Sequence, residues 1–119
     1  MIVLIPAYKP GNLLIRLIHQ LTAHSESIQV LVIDDGSGSE YAPIFTELTL
    51  TGATVITHPI NLGKGAAIRT GLNWARIYQP RQVVVTADAD GQHLVRDILR
   101  VGAHAATHAD SGKHSLVLG

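Results

Sequence analysis

Short, continuously apolar runs alternate along this chain with longer segments in which apolar residues return every third or fourth position. Runs of four to five residues that are β-branched and unbroken predict buried strands, whereas the three-to-four spacing predicts helices buried on one face. On that basis strands are expected at residues 2–5 (closed by Pro6), 29–33, 53–57, 83–87 and 115–118. Between them, helices are expected over residues 11–23, 41–50, 66–78 and 94–108. The first should bury Leu13, Leu14, Leu17, Ile18 and Leu21, the third Ile68, Leu72 and Ala75, and the fourth Ile98, Leu99, Val101 and Ala105. The second is the weakest because of its threonines. Strands that alternate with helices and are apolar on both faces imply an α/β domain. Its three α/β/α layers would be built on a mainly parallel sheet, incomplete at the C-terminus.

Right-handed crossovers place the carboxyl ends of all such strands on one rim, where open α/β sheets bind ligands. The polar clusters fall at that rim each time: Pro6-Ala7-Tyr8, Asp34-Asp35-Gly36-Ser37, His58 with the loop through Gly65, and Asp88 with the segment through His93. Convergence of four clusters on one edge is the physical argument for a site.

Composition narrows the class. With 119 residues the chain is a single domain, and 46% hydrophobic against 15% charged residues makes it globular rather than disordered. Nine basic residues balance nine acidic ones, which disfavours nucleic acid as a partner but leaves room for a local phosphate site. There is no cysteine, so thiolate chemistry and disulfides are excluded. No signal-peptide pattern opens the sequence and no apolar run reaches the length of a membrane span. A cytoplasmic place is therefore expected, peripheral at a membrane through an acceptor or further segments.

Asp88 and Asp90 are one residue apart at the end of the fourth strand, so in extended chain they share a face. Two carboxylates that close repel unless a cation or a proton lies between them, and Gln92 can add a neutral oxygen. Hard oxygens in this number suit Mg²⁺ or Mn²⁺. The plainer alternative is a turn at Asp90-Gly91 with Asp88 capping the next helix. For the second cluster, Asp35 is read as a ligand contact and Asp34 as a tie to backbone amides, the alternative for Asp35 being a helix cap. Gly63-Lys64-Gly65 precedes a helix whose N-terminus attracts anions, so Lys64 is either a phosphate contact or a solvated lysine. Arg69 lies one turn further and is mainly a surface residue. Tyr8 is suited to stacking on a base or to a wet place on the rim. His93 is a candidate for positioning a phosphate or for plain solvent exposure. His104 and His108, one helical turn apart, lack an identifiable third metal ligand. The Walker A spacing and a Gly-x-Gly-x-x-Gly after the first strand are both absent, which disfavours triphosphate and dinucleotide folds.

Four ordered segments carry a resemblance: Ile5-Pro6-Ala7-Tyr8, Val32-Ile33-Asp34-Asp35-Gly36-Ser37, Asn61-Leu62-Gly63-Lys64-Gly65-Ala66 and Asp88-Ala89-Asp90-Gly91-Gln92-His93. Together they resemble the inverting family 2 glycosyltransferases of the Rossmann-like GT-A fold, most of all those that transfer sugars to dolichyl or polyprenyl phosphate. The resemblance implies a UDP- or GDP-sugar donor, a divalent metal (Mg²⁺ or Mn²⁺), and a lipid-phosphate or saccharide acceptor. It also implies nucleotide-sugar contacts from Pro6, Ala7, Tyr8, Asp35, the Gly63-Lys64-Gly65 loop and Asp88, with a metal at Asp88, Asp90 and Gln92. Where such enzymes often continue Tyr-Asn-Glu, this chain has Tyr8-Lys9-Pro10, so one acidic nucleotide contact is missing. No catalytic base can be assigned; residues 1–119 match the donor-binding half of the family's domain. The alternative is a nucleotide-binding or assembly module without catalysis, which could pair with a second copy through the exposed edge of the fifth strand.

Overall fold

The computed structural model describes residues 1–89, 95–108 and 116–118. Its strands are β1 (Ile2–Ala7), β2 (Gln29–Asp34), β3 (Thr54–Thr57), β4 (Val84–Thr86) and β5 (Leu116–Leu118). Its helices are α1 (Asn12–His24), α2 (Ala42–Thr51), α3 (Lys64–Tyr78) and α4 (Val95–His108), with a short 3-10 turn at Ser39–Tyr41 leading into α2. Among the described residues the strands form one parallel sheet in the order β3-β2-β1-β4-β5. The expected three-layer architecture is present.

Pleating sorts the core into two halves. Val3, Ile5 and Ala7 of β1, with Val30 and Val32 of β2 and Val85 of β4, pack against Leu14, Leu17, Ile18 and Leu21 of α1, Leu48 of α2 and Ile98 of α4. The alternate residues Ile2, Leu4, Leu31, Ile33 and Val84 pack against Ala67, Ala75 and the partly buried Ile68, Leu72 and Trp74 of α3. Period two in the strands meets period three-to-four in the helices, which is why each layer is filled almost wholly by apolar side chains, Thr86 of β4 being a buried polar one.

Two expectations need correction. Pro6 does not close β1: the strand runs on through it to Ala7. Even-numbered residues of β1 turn their amides toward β4, as the bond from Ile2 N to the Val83 carbonyl shows. The β1–β4 ladder ends at Leu4 opposite Thr86, so the N–H that Pro6 lacks would have had no strand to meet, while pairing with β2 continues to Ala7 opposite Asp34. Leu13 is not a core residue. It is 52% exposed, and α1 buries its i, i+3, i+4, i+7 stripe from Leu14 instead. The second helix forms as expected despite its threonines: it buries Phe45 and Leu48, and the Thr49 and Thr51 hydroxyls donate to the carbonyls of Phe45 and Glu47, four residues earlier. On α4, Ile98 is buried with Leu99 and Val101 packed beside it; the Ala105 side chain lies outside the described residues.

Helix α3 approaches the sheet so closely at Gly71 that an added Cβ would lie 2.2 Å from Cδ1 and 3.0 Å from Cγ of the fully buried Leu4. Gly71→Val should therefore destabilise the fold by about 1–3 kcal/mol through overpacking. By contrast, Gly65→Ala, with nothing near the new methyl, should be neutral or stabilising by up to about 1 kcal/mol. Urea denaturation of the two variants checks this, and equal midpoints would show that Leu4 yields without cost.

Candidate functional site

The strand order reverses between β1 and β4, and an open cleft of about 730 Å³ lies at their carboxyl ends. It is lined by Pro6, Ala7 and Tyr8 after β1, by Lys9, Pro10, Gly11 and Leu13 leading into α1, and by Asp35 after β2. Asn61, Gly63 and Lys64 at the start of α3, and Asp88 and Ala89 after β4, complete it. Of the nucleotide-contact candidates, Pro6, Ala7, Tyr8, Asp35, Gly63, Lys64 and Asp88 thus line one cavity, while Gly65 does not. Asp90, Gln92 and His93 lie outside the described residues, so of the expected metal ligands only Asp88 can be placed. Arg69 is exposed and is not part of the lining, and the side chains of His104 and His108 are likewise outside the described residues.

Pleat parity separates the two acids of β2. Asp34 continues the Val30, Val32 series toward α1 and α2, and its Oδ1 accepts the Ser37 amide at 3.0 Å. It shapes the turn, as expected. Asp35 falls on the α3 side and is 3% exposed. Its Oδ1 accepts from the Leu62 amide at 2.8 Å and from Nδ1 of His58 at 2.9 Å, and its Oδ2 accepts the Gly63 amide at 2.9 Å. An ionised carboxylate only accepts, so Nδ1 of His58 carries a proton. Burial pushes the Asp35 carboxyl up, but the His58 bond, the two amides and the attraction of His58 outweigh it and hold it below the usual carboxylate range. Asp35 is thus neither a cap on the next helix nor an unencumbered ligand group. It lines the cleft and fastens the loop that opens α3.

His58 carries more than the sequence suggested. Only 8% exposed, it is bonded to Asp35 on one side and, through Nε2, to the Thr70 hydroxyl at 2.8 Å on the other. The signal available was a histidine directly after a strand and before Pro59, which marks a rim position but names no partner. Gly36 was also more constrained than a turn glycine. Its φ is +71°, and an added Cβ would sit 2.2 Å from the backbone carbon of Ile60. Asn61 bridges the same gap, its Nδ2 donating to the Asp35 carbonyl at 3.1 Å.

The charged groups at the mouth are arranged differently from the buried ones. Lys64 donates from Nζ to Oδ1 of Asp88 at 3.1 Å, with side chains 65% and 32% exposed, so water screens the pair strongly. Tyr8 is half exposed, and Nζ of Lys9 lies 5.3 Å from its ring centroid. Lys9 has φ +49°, an unusual value for a side-chain-bearing residue, and its amide donates to the Ser37 hydroxyl at 2.9 Å. Neither α1 nor α3 has a side-chain N-cap or an acid in its first turn, and both begin at the cleft. Two positive helix ends and two lysines therefore face a cavity that holds the Asp88 carboxylate.

A three-layer parallel α/β fold with a cleft at the strand-order reversal defines the open, doubly wound class of α/β domain, in which that crevice is the place for a ligand. Residues 2–112 match Glycosyl transferase family 2, and the chain belongs to that family. It is 31% identical over 83% of its length to an uncharacterized protein of Methanocaldococcus jannaschii, covering 39% of that protein. It is 31% identical over 82% of its length to the UDP-N-acetylglucosamine–dolichyl-phosphate N-acetylglucosaminyltransferase of Methanococcus voltae, covering 44% of it. Against the polyprenol monophosphomannose synthase of Mycolicibacterium smegmatis the identity is 28%, over 84% of this chain and 38% of that one. The chain therefore spans about two-fifths of the length of these relatives. No solved structure matches it significantly. Among the described residues no helix is long and apolar enough to cross a membrane.

Because Asp35 titrates lower in the folded state than in the unfolded chain, its bonds stabilise the fold fully above about pH 4. That contribution disappears as pH falls through the folded-state value. Asp35→Asn should cost about 2 kcal/mol or more near neutral pH, because charge-assisted bonds are lost from a buried site. The gap from wild type should close as the solution is acidified. Denaturant titrations between pH 7 and pH 2 read this directly; a gap that stays constant would contradict it.

Proposed function

We propose that the chain is the donor-binding part of an inverting glycosyltransferase that takes a UDP- or GDP-sugar and delivers the sugar to a lipid-phosphate or saccharide acceptor. The observation that carries this reading is the cleft at the β1–β4 reversal, where the uncapped starts of α1 and α3 meet Lys64 and Asp88. Dipole ends and an ammonium suit a diphosphate, and Pro6, Ala7 and the Tyr8 ring offer an apolar, stackable wall for a base. The relatives named for dolichyl- and polyprenyl-linked transfer favour a polyprenyl phosphate as acceptor.

Asp88 supplies a hard oxygen at the cleft, which fits Mg²⁺ or Mn²⁺; Asp90 and Gln92 are the further ligands proposed from the sequence. Such an ion would neutralise charge on the departing nucleoside diphosphate. Asp88 would exchange Lys64 for the ion, and the released ammonium would turn to a phosphate oxygen. The exchange costs little, since exposed ion pairs contribute about 0–1 kcal/mol. The acceptor would attack the anomeric carbon on the face opposite the leaving group. A phosphate acceptor is already anionic and needs no general base, which accords with none being assignable in these residues.

Thermal unfolding with UDP, GDP and their sugars, each with and without Mn²⁺, tests the reading. At about a hundred times its dissociation constant, the preferred nucleotide should stabilise the protein by about 2.7 kcal/mol, a shift of several degrees. Asp90→Asn should remove the Mn²⁺-dependent part of that shift while leaving the unliganded melting temperature near wild type. Identical curves with and without Mn²⁺ would eliminate the metal, and no response to any nucleotide would eliminate the donor site. Binding without sugar transfer to a polyprenyl phosphate would favour the non-catalytic module.

A further inference from the structure

The Asp35–His58–Thr70 chain joins three segments that are distant in sequence. The His58 amide donates to the Asp34 carbonyl at 2.8 Å, so the backbone under the ring is tied to the end of β2. The ring is then fixed at both nitrogens, to the Asp35 carboxylate at 2.9 Å and to the Thr70 hydroxyl at 2.8 Å. Asp35 in turn holds the Leu62 and Gly63 amides, which immediately precede the first residue of α3. Helix α3 is thus gripped at two points by one buried acid–imidazole unit, at its start through Asp35 and in its second turn through Thr70. With the Nδ1 proton turned to Asp35 and Nε2 bonded to the Thr70 hydroxyl, both ring nitrogens have a partner.

We propose that His58 is a positioning residue for the nucleotide cleft, setting through Asp35 and Thr70 where the Asp35 carboxylate, the Gly63-Lys64-Gly65 loop and the first amides of α3 stand. This rests on the donor-binding reading above. A residue acting in this way differs from a merely structural one in a specific respect. Its loss should weaken nucleotide binding and loosen the loop together, and a conservative side chain that returns a donor to Asp35 should restore both.

The test uses His58→Phe, His58→Asn and Thr70→Val in the full chain. Calorimetry would follow UDP and GDP binding, and amide hydrogen exchange would be followed at Leu62 and Gly63. His58→Phe leaves Asp35 one donor short, so it should speed exchange at both amides and weaken UDP or GDP by about tenfold. His58→Asn, whose amide can replace the Nδ1 donor, should restore most of the diphosphate affinity and the slow exchange. Thr70→Val, which keeps the bond to Asp35 but frees the other side of the ring, should fall between them. Unchanged exchange together with unchanged UDP and GDP affinity in Thr70→Val would overturn the proposal even if His58→Phe fails to fold. Unchanged UDP and GDP affinity in folded His58→Phe, or no rescue by His58→Asn, would overturn it as well. Wild-type protein that binds neither nucleotide would sink the donor-binding reading instead, and the exchange data would still decide whether His58 positions the loop.

Discussion

One buried carboxylate organises the rim of this domain. Asp35 brings the end of β2, the end of β3 and the start of α3 to a common point, although the last two lie more than twenty residues after it in sequence. Placing an unpaired charge at 3% exposure would cost several kcal/mol; an imidazole N–H and two backbone amides offset that cost. The neighbouring backbone has adapted to the same point. Gly36 turns with φ +71° and leaves no room for a side chain because the Ile60–Asn61 peptide passes directly beside it, and Asn61 then bonds the Asp35 carbonyl. The glycine and the asparagine are consequences of bringing the loop close enough for the acid to hold it.

What lets Asp35 reach that loop is the parity of the pleat. In β2 the residues Leu31 and Ile33 face α3, and one further step of two places Asp35 on that side; in β4, Val84 and then Asp88 follow the same count. Asp34 belongs to the other series and is used to shape its own turn. A one-residue slip in register would exchange these roles and carry the apolar residues to the wrong layer as well. The site therefore inherits its geometry from the same alternation that fills the core. Pro6 adds to it: with no N–H to offer, it stands where β1 outlasts β4, at the crevice itself.

The order of elements, the parallel sheet and the common rim were readable in the sequence because each follows from periodicity, and periodicity reports which face a residue takes. It does not report partners. Lys64 and Asp88 could each be placed at the rim, yet their bond to one another depends on how far α3 stands from β4. His58 is a single residue at a strand end, and nothing local distinguishes a solvated imidazole from one held at both nitrogens by residues 23 positions earlier and 12 later. Leu13 was assigned to the core because it belongs to an unbroken apolar run; only the phase of α1 on the sheet decides that the buried stripe begins one residue on. Pro6 misled for a related reason, since its effect on a strand depends on which neighbour its missing donor would have faced.

The two cleft acids illustrate how burial divides roles between chemically identical groups. Asp35 is enclosed, bonded at both oxygens and held ionised by its neighbours, so releasing any partner would strand a charge away from water. It suits a permanent frame. Asp88 is about one-third exposed, and its bond to the more exposed Lys64 ammonium is screened by solvent, so giving up that one bond costs about 0–1 kcal/mol. Binding of a charged ligand requires groups of the second kind, held in place by groups of the first. The same division accounts for Lys9: its backbone is held in an unfavourable left-handed conformation by the Ser37 hydroxyl, while its ammonium lies over the half-exposed Tyr8 ring. The fixed bonds lie in the backbone under the cleft, and the exposed charges stand above it, where exchanging water for a ligand costs least.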